Sequence, residues 1–106
     1  MKKRKTIEYK IYNDKLAIYN FNQIKNYVEY KLLNPIAANR IVNGLRKQIY
    51  NIKLFPYIGK IYYPNNPNIR FLIHNKYLIF YEIQEKEKLI IIKTILHSKQ
   101  NRNSLK

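Results

Sequence analysis

The sequence predicts an α+β fold: an antiparallel helical hairpin packed on one face of a four-stranded, mainly antiparallel sheet, in the order β-α-α-β-β-β. Three observations carry this expectation. Residues 70–96 hold three strand-sized apolar runs, 70–73, 77–83 and 89–96, rich in Ile, Tyr and Phe. His74-Asn75-Lys76 and the charged turn 84–88 separate them, and neither connection is long enough for a parallel crossover, so the runs form a meander. Residues 14–54 carry two helical apolar stripes interrupted once, at Asn34-Pro35. Residues 6–12 alternate, with Ile7, Tyr9 and Ile11 on one face and Thr6, Glu8, Lys10 and Tyr12 on the other, the period of a half-buried strand.

Taken in order, the first strand hands over to a helix capped by Asn13 or Asp14. Ala17, Phe21, Ile24, Val28 and Leu32 recur at steps of three and four, widened by Leu16 and Ile18, and this helix is expected to end near Leu33. Asn34 then caps a second helix with Pro35 in its first turn. Its apolar face is Ala38, Ile41, Val42, Leu45, Ile49 and Ile52. The short connection makes the two helices antiparallel neighbours. Gly44, inside the second helix, costs about 1 kcal/mol relative to Ala; a close backbone contact and simple drift explain it equally well. Pro56 cannot continue the helix, and Gly59 follows in the turn. Residues 61–68, with Pro64, Asn65, Asn66 and Pro67, read as a turn-rich linker. To bury Ile7, Tyr9 and Ile11 the first strand must join the same sheet, and a place beside the last strand, parallel to it, is expected. Residues 98–106 read as a basic tail or a short helix capped by Ser98. At this length the chain, 1–106, is expected to be one small domain with one core.

Lys and Arg number 21 against 6 for Asp and Glu, a formal net charge of +15. Between Glu29 and Glu82 there is no carboxylate, and after Glu87 there is none again. Self-repulsion on this scale is tolerated for an acidic or polyanionic partner: nucleic acid, an anionic membrane or an acidic protein. An AT-rich coding sequence explains abundant Asn and Ile but not the shortage of Asp and Glu. There is no cysteine, which excludes disulfides and thiolate metal sites. His74 and His97 stand far apart without neighbouring carboxylates, so no metal site is expected, and no cofactor. No apolar run approaches the ~20 residues that span a bilayer. Lys2-Lys3-Arg4-Lys5 is followed by a polar alternating segment where a signal peptide needs apolar residues. The expectation is a cytoplasmic protein with no membrane partner.

The order β-α-α-β-β-β, the Pro56–Gly59 signal after the helices, Arg70 opening the meander, Tyr77-Leu78-Ile79-Phe80-Tyr81, and Ile95-Leu96-His97 before a basic tail together resemble the RelE/ParE superfamily, toxins of bacterial type II toxin–antitoxin systems. The resemblance covers nearly the whole chain. It implies a growth-inhibiting toxin in a hetero-oligomer with a cognate antitoxin, usually acidic. RelE-like members are ribosome-dependent mRNA endoribonucleases; ParE-like members inhibit DNA gyrase without nuclease chemistry. Metal-free RNA cleavage needs a base, an acid and cations on one phosphate. On a RelE-like reading His97 is the acid, Arg70 the phosphate clamp and Tyr81 the orienting or donating phenol. Lys60, Lys76, Lys99 and Arg102 then contact nucleic acid or target. No carboxylate base stands nearby, although some relatives use lysines instead. Leu78 occupies the position where some nucleolytic relatives carry Arg, and the His-plus-polar ending resembles ParE-like chains, which favours the gyrase reading.

Structural roles compete for the same residues. His97 can cap a sheet edge, Arg70 can pair with Glu82 across the meander, and His74 can be a solvated turn residue. Alternation sets Phe80 on the face opposite Tyr77 and Tyr81, so one of those sets is core. The other can stack on bases or pack across strands. A basic nucleic-acid-binding module without toxin activity remains a further reading of the same charge.

Overall fold

The computed structural model describes residues 8–98. Lys2-Lys3-Arg4-Lys5, Thr6 and Ile7 of the expected first strand, and the tail from Lys99, including Arg102, lie outside the described residues. In chain order the elements are β1 (Lys10–Asn13), α1 (Lys15–Asn26), a π turn (Tyr27–Lys31), α2 (Pro35–Leu54), a 3-10 turn (Pro56–Ile58), β2 (Lys60–Tyr63), β3 (Asn66–His74), β4 (Tyr77–Gln84) and β5 (Leu89–His97). The sheet order is β1-β5-β4-β3-β2. β1 runs parallel to β5, from Lys10 beside Leu89 to Asn13 beside Ile92, and every other pair is antiparallel.

The helices begin where their caps dictate. Asp14 accepts the Lys15 N–H at 2.9 Å, and Asn34 Oδ1 accepts the Ala37 N–H at 3.0 Å ahead of Pro35. α1 does not run on as α-helix to Leu33. Its last turn widens to a π turn in which the Leu32 N–H donates to Tyr27 O at 3.1 Å. Leu33 then takes φ 51°, the left-handed region, and the chain reverses into α2.

Ala17 from α1 and Leu45 and Ile52 from α2 pack on Ile79, Tyr81 and Ile83 of β4 and Ile90, Ile92 and Ile95 of β5. Phe21, Ile24, Ile41, Ile49 and Tyr77 close the margins of this core. Tyr77 and Tyr81 therefore lie on the helix side. Phe80 lies on the other face, edge-to-face with Tyr62 at 5.1 Å between ring centres and tilted against Phe71 at 5.7 Å. Cross-strand aromatic packing is the role it takes there.

The sheet has five strands, one more than expected. Residues 61–68 are not a linker. Lys60–Tyr63 and Asn66–His74 form a hairpin around Pro64-Asn65, with a register shift between Ile61 and Tyr63. Pro67 is tolerated inside β3 because pairing with β4 starts only at Ile69, so at Pro67 there is a neighbouring strand on one side alone.

Candidate functional site

Arg70 and Tyr81 face each other across β3 and β4 on the helix side of the sheet. Both are spent on the turn that connects α2 to β2. The Tyr81 hydroxyl donates to Pro56 O at 2.6 Å and accepts the Gly59 N–H at 2.9 Å. Its side chain is fully buried, and burial pushes the phenol pKa above its ordinary value. Arg70 Nε donates to Pro67 O at 2.8 Å, and Nη1 donates to Gly59 O at 2.9 Å and Tyr57 O at 3.2 Å. The guanidinium also lies over the Tyr57 ring, 4.8 Å from its centre. A Cβ on residue 59 would stand 2.5 Å from the Tyr81 oxygen and 2.8 Å from Phe71 O, so only glycine lets the turn approach this closely.

Glu82, the expected ion-pair partner of Arg70, sits one register step away, opposite Ile69, and its carboxylate is 3.8 Å from Lys93 Nζ. Arg70 takes backbone carbonyls in its place. These bonds leave no trace in the side-chain pattern, which is why the sequence did not reveal them.

His97 ends β5 opposite Tyr77, and the two rings meet edge-to-face at 5.4 Å. It lines a cleft of about 320 Å³ with Asn20, Gln23, Tyr27, Tyr77 and Ile95, between the end of α1 and the end of the sheet. Asn20 shapes one wall: its Oδ1 accepts from Thr94 Oγ1 at 2.6 Å and from the Ile95 N–H at 3.1 Å, closing the stretch of β5 that β1 is too short to cover. Burial raises the Tyr77 pKa. Ser98 N–H donates to Lys76 O at 2.6 Å, which brings Lys76 to the same end as His97. Lys60, in register with Phe71, lies on the opposite face of the sheet.

His97 and Arg70 are thus not brought together. The register sets them four residues apart along the strands and two strands apart across the sheet. That is on the order of 16 Å between backbones. His74 is not a solvated turn residue: it ends β3 half-buried, and its ring fills the space that a Cβ on Gly44 would need, 2.6 Å from Nε2.

A second cluster lies at the other end of the sheet. Glu85, in the β4–β5 turn, accepts from the Tyr9 hydroxyl at 2.6 Å, from the Tyr57 hydroxyl and from Lys88 Nζ. Those three donors hold its carboxyl down at about 2, Lys88 contributing most. In return, the bond to Glu85 lifts the Tyr57 phenol to about 12 and raises Tyr9 and Lys88 as well. The sequence marked residues 84–88 only as a charged turn, because the tyrosines come from positions 76 and 28 residues away. Among the described residues no group of three or more His, Cys, Asp or Glu side chains is placed to hold a metal ion, and no helix is long and apolar enough to cross a membrane.

The fold is similar in outline to that of solved toxin–antitoxin proteins. The chromosomal ParDE toxin–antitoxin system from P. aeruginosa aligns with a TM-score of 0.70 at 16% identity, over 86% of this chain and 97% of that one. The RelBE2 toxin–antitoxin complex from Mycobacterium tuberculosis aligns with a TM-score of 0.65 at 14% identity, over 86% and 99%. The intact E. coli RelBE complex gives 0.61 at 11% identity, over 87% and 99%. At such identities the likeness is one of fold. No curated sequence relative matches the chain. The family model described as the ParE toxin of type II toxin-antitoxin system, parDE, matches residues 14–102, nearly all of the chain, and the protein therefore belongs to the ParE toxin family of type II toxin–antitoxin systems.

Proposed function

We propose that this toxin arrests growth by binding DNA gyrase and not by cutting ribosome-bound mRNA. The observation that carries this reading is the separation of the residues a nuclease would need. Acid, base and cation must all reach one phosphate. Here Arg70 and Tyr81 hold the turn at residues 56–59, while His97 stands at the far end of the sheet. A binding inhibitor has no such requirement. Family membership through the ParE model supports the same target.

The cognate antitoxin is read as an acidic protein that presents carboxylates and apolar anchors to this chain. Its support is the net charge of +15 and the toxin–antitoxin pairing in the systems that share the fold.

The test compares wild type, His97→Gln and a deletion of residues 99–106 in two assays, gyrase supercoiling and ribosome-dependent mRNA cleavage. The gyrase reading expects wild type to inhibit supercoiling, His97→Gln to weaken inhibition only slightly, and the deletion to weaken it more. General acid catalysis contributes about 10²–10⁴-fold. A wild type that cleaves mRNA, loses that activity in His97→Gln by such a factor, and leaves supercoiling untouched overturns the proposal.

A further inference from the structure

The cleft beside His97 does not end at Tyr27. A second cleft of about 450 Å³ shares Gln23 and Tyr27 with it and continues past Asn26 to Tyr30 and Lys31. The two form one track along the end of α1 and the π turn. Its composition is unusual for a helix surface. Tyr27 is 55% exposed and Tyr30 68%, so both aromatic rings present surface to solvent. Tyr77 supplies a third ring deeper in the first cleft. Between the rings stand the amides of Asn20, Gln23 and Asn26. The Asn20 oxygen is already bonded to Thr94 and Ile95, which fixes that amide and leaves its NH₂ to donate elsewhere.

Helical spacing sets these groups side by side: residues 23, 26, 27, 30 and 31 recur at steps of three and four and so share one face. The π turn, with its i→i+5 bond from Leu32 N–H to Tyr27 O, closes this stripe. Such turns recur at functional sites. The charge around the track fits as well. Glu82, Glu85 and Glu87 lie at the opposite end of the sheet, by the β4–β5 turn. At the track end Lys31 lines the groove and Lys76 adjoins His97, with Glu29 the one carboxylate in the π turn.

Exposed aromatic platforms, amides and a cationic margin are the chemistry that binds unpaired bases: rings stack, amides meet base edges and lysines meet phosphates. We propose that this track binds single-stranded nucleic acid, with bases stacked on Tyr27 and Tyr30 and one base entering the cleft against Tyr77. The inference is independent of the gyrase reading.

Fluorescence anisotropy on the full chain tests it, with labelled oligothymidylate and oligouridylate of about 12 nucleotides as probes, within the site sizes known for single-strand binders. Tyr27→Ala and Tyr30→Ala should each weaken binding about 5- to 150-fold, the factor for a lost base–aromatic stack, without changing its salt dependence. Tyr27→Phe, which keeps the ring, should bind as wild type. Lys31→Ala should lower the slope of log K against log salt by about 0.7. Melting curves confirm that each variant is folded. Preference for either probe supports the proposal and tells DNA from RNA as the natural strand. Absence of binding to both probes overturns it. So does binding that both tyrosine variants retain in full, since charge alone would then explain it. A chain that binds the probes but spares gyrase sinks only the gyrase reading, and one that inhibits gyrase without binding them sinks only this one.

Discussion

Tyr81 shows how one side chain can hold a junction. Its hydroxyl bridges a carbonyl and an N–H three residues apart on the turn between helix and sheet, inside the core. Tyr81→Phe would keep the ring and orphan both backbone groups. Each buried orphan costs about 1–3 kcal/mol, so urea denaturation should show a loss of about 2–6 kcal/mol at unchanged m. A variant as stable as wild type would show that water replaces the hydroxyl. Glu85 makes a different kind of prediction. Its folded pKa, about 2, lies below the ordinary value of 4.5. The stability it confers is complete above pH 4.5 and is lost as pH falls through that value towards 2. Tyr57 is the mirror case: raised from 10.0 to about 12, it contributes fully below pH 10.0 and loses that contribution as pH climbs towards 12. Glu85→Gln should flatten both limbs of the Tm–pH profile. A wild-type acid limb that persists in Glu85→Gln would assign acid sensitivity to other carboxylates.

At the scale of elements, the helical hairpin was legible because its signals are local. Asp14, Asn34 and Pro35 cap as their chemistry requires, and Ala38, Val42, Leu45 and Ile52 recur at helical spacing and are buried. Leu45 is fully buried against the sheet. Leu45→Asp would bury an unpaired carboxylate there and should abolish folding; a soluble variant with an unchanged melting curve would refute the register. The β2–β3 hairpin was not legible. Two prolines and three asparagines in residues 64–68 outweigh Ile61, Tyr62 and Tyr63 in any local reading. What overrides them is tertiary: Tyr62 docks on Phe71 and Phe80, and Pro67 sits beyond the reach of β4. The π turn was hidden for a similar reason, since its apolar spacing is that of an α-helix. Gly44 links two elements directly. Gly44→Ala gains about 1 kcal/mol of helix propensity but meets the His74 ring. In a His74→Ala background that gain should appear in full, and in wild type it should shrink or reverse. Equal effects in both backgrounds would show that His74 swings aside freely.

Across the whole molecule, the net charge of +15 makes the chain repel itself and attract acidic partners, and salt acts on both. Raising ionic strength should raise Tm; each 1 kcal/mol of relieved repulsion corresponds to about 4–8 °C in a domain near this size. The same salt should slow association with the antitoxin. A stopped-flow rate that stays flat between low and high salt would rule out an acidic antitoxin surface.

The parallel pairing of β1 with β5 has a consequence in time. Lys10 is synthesised 79 residues ahead of its partner Leu89. The sheet cannot be completed by a growing chain, however the helices form meanwhile. Such long-range pairing also slows folding. A nascent toxin therefore remains an unfinished sheet until β5 has been made, and an interval opens in which a partner already present can meet the chain before it has become a toxin.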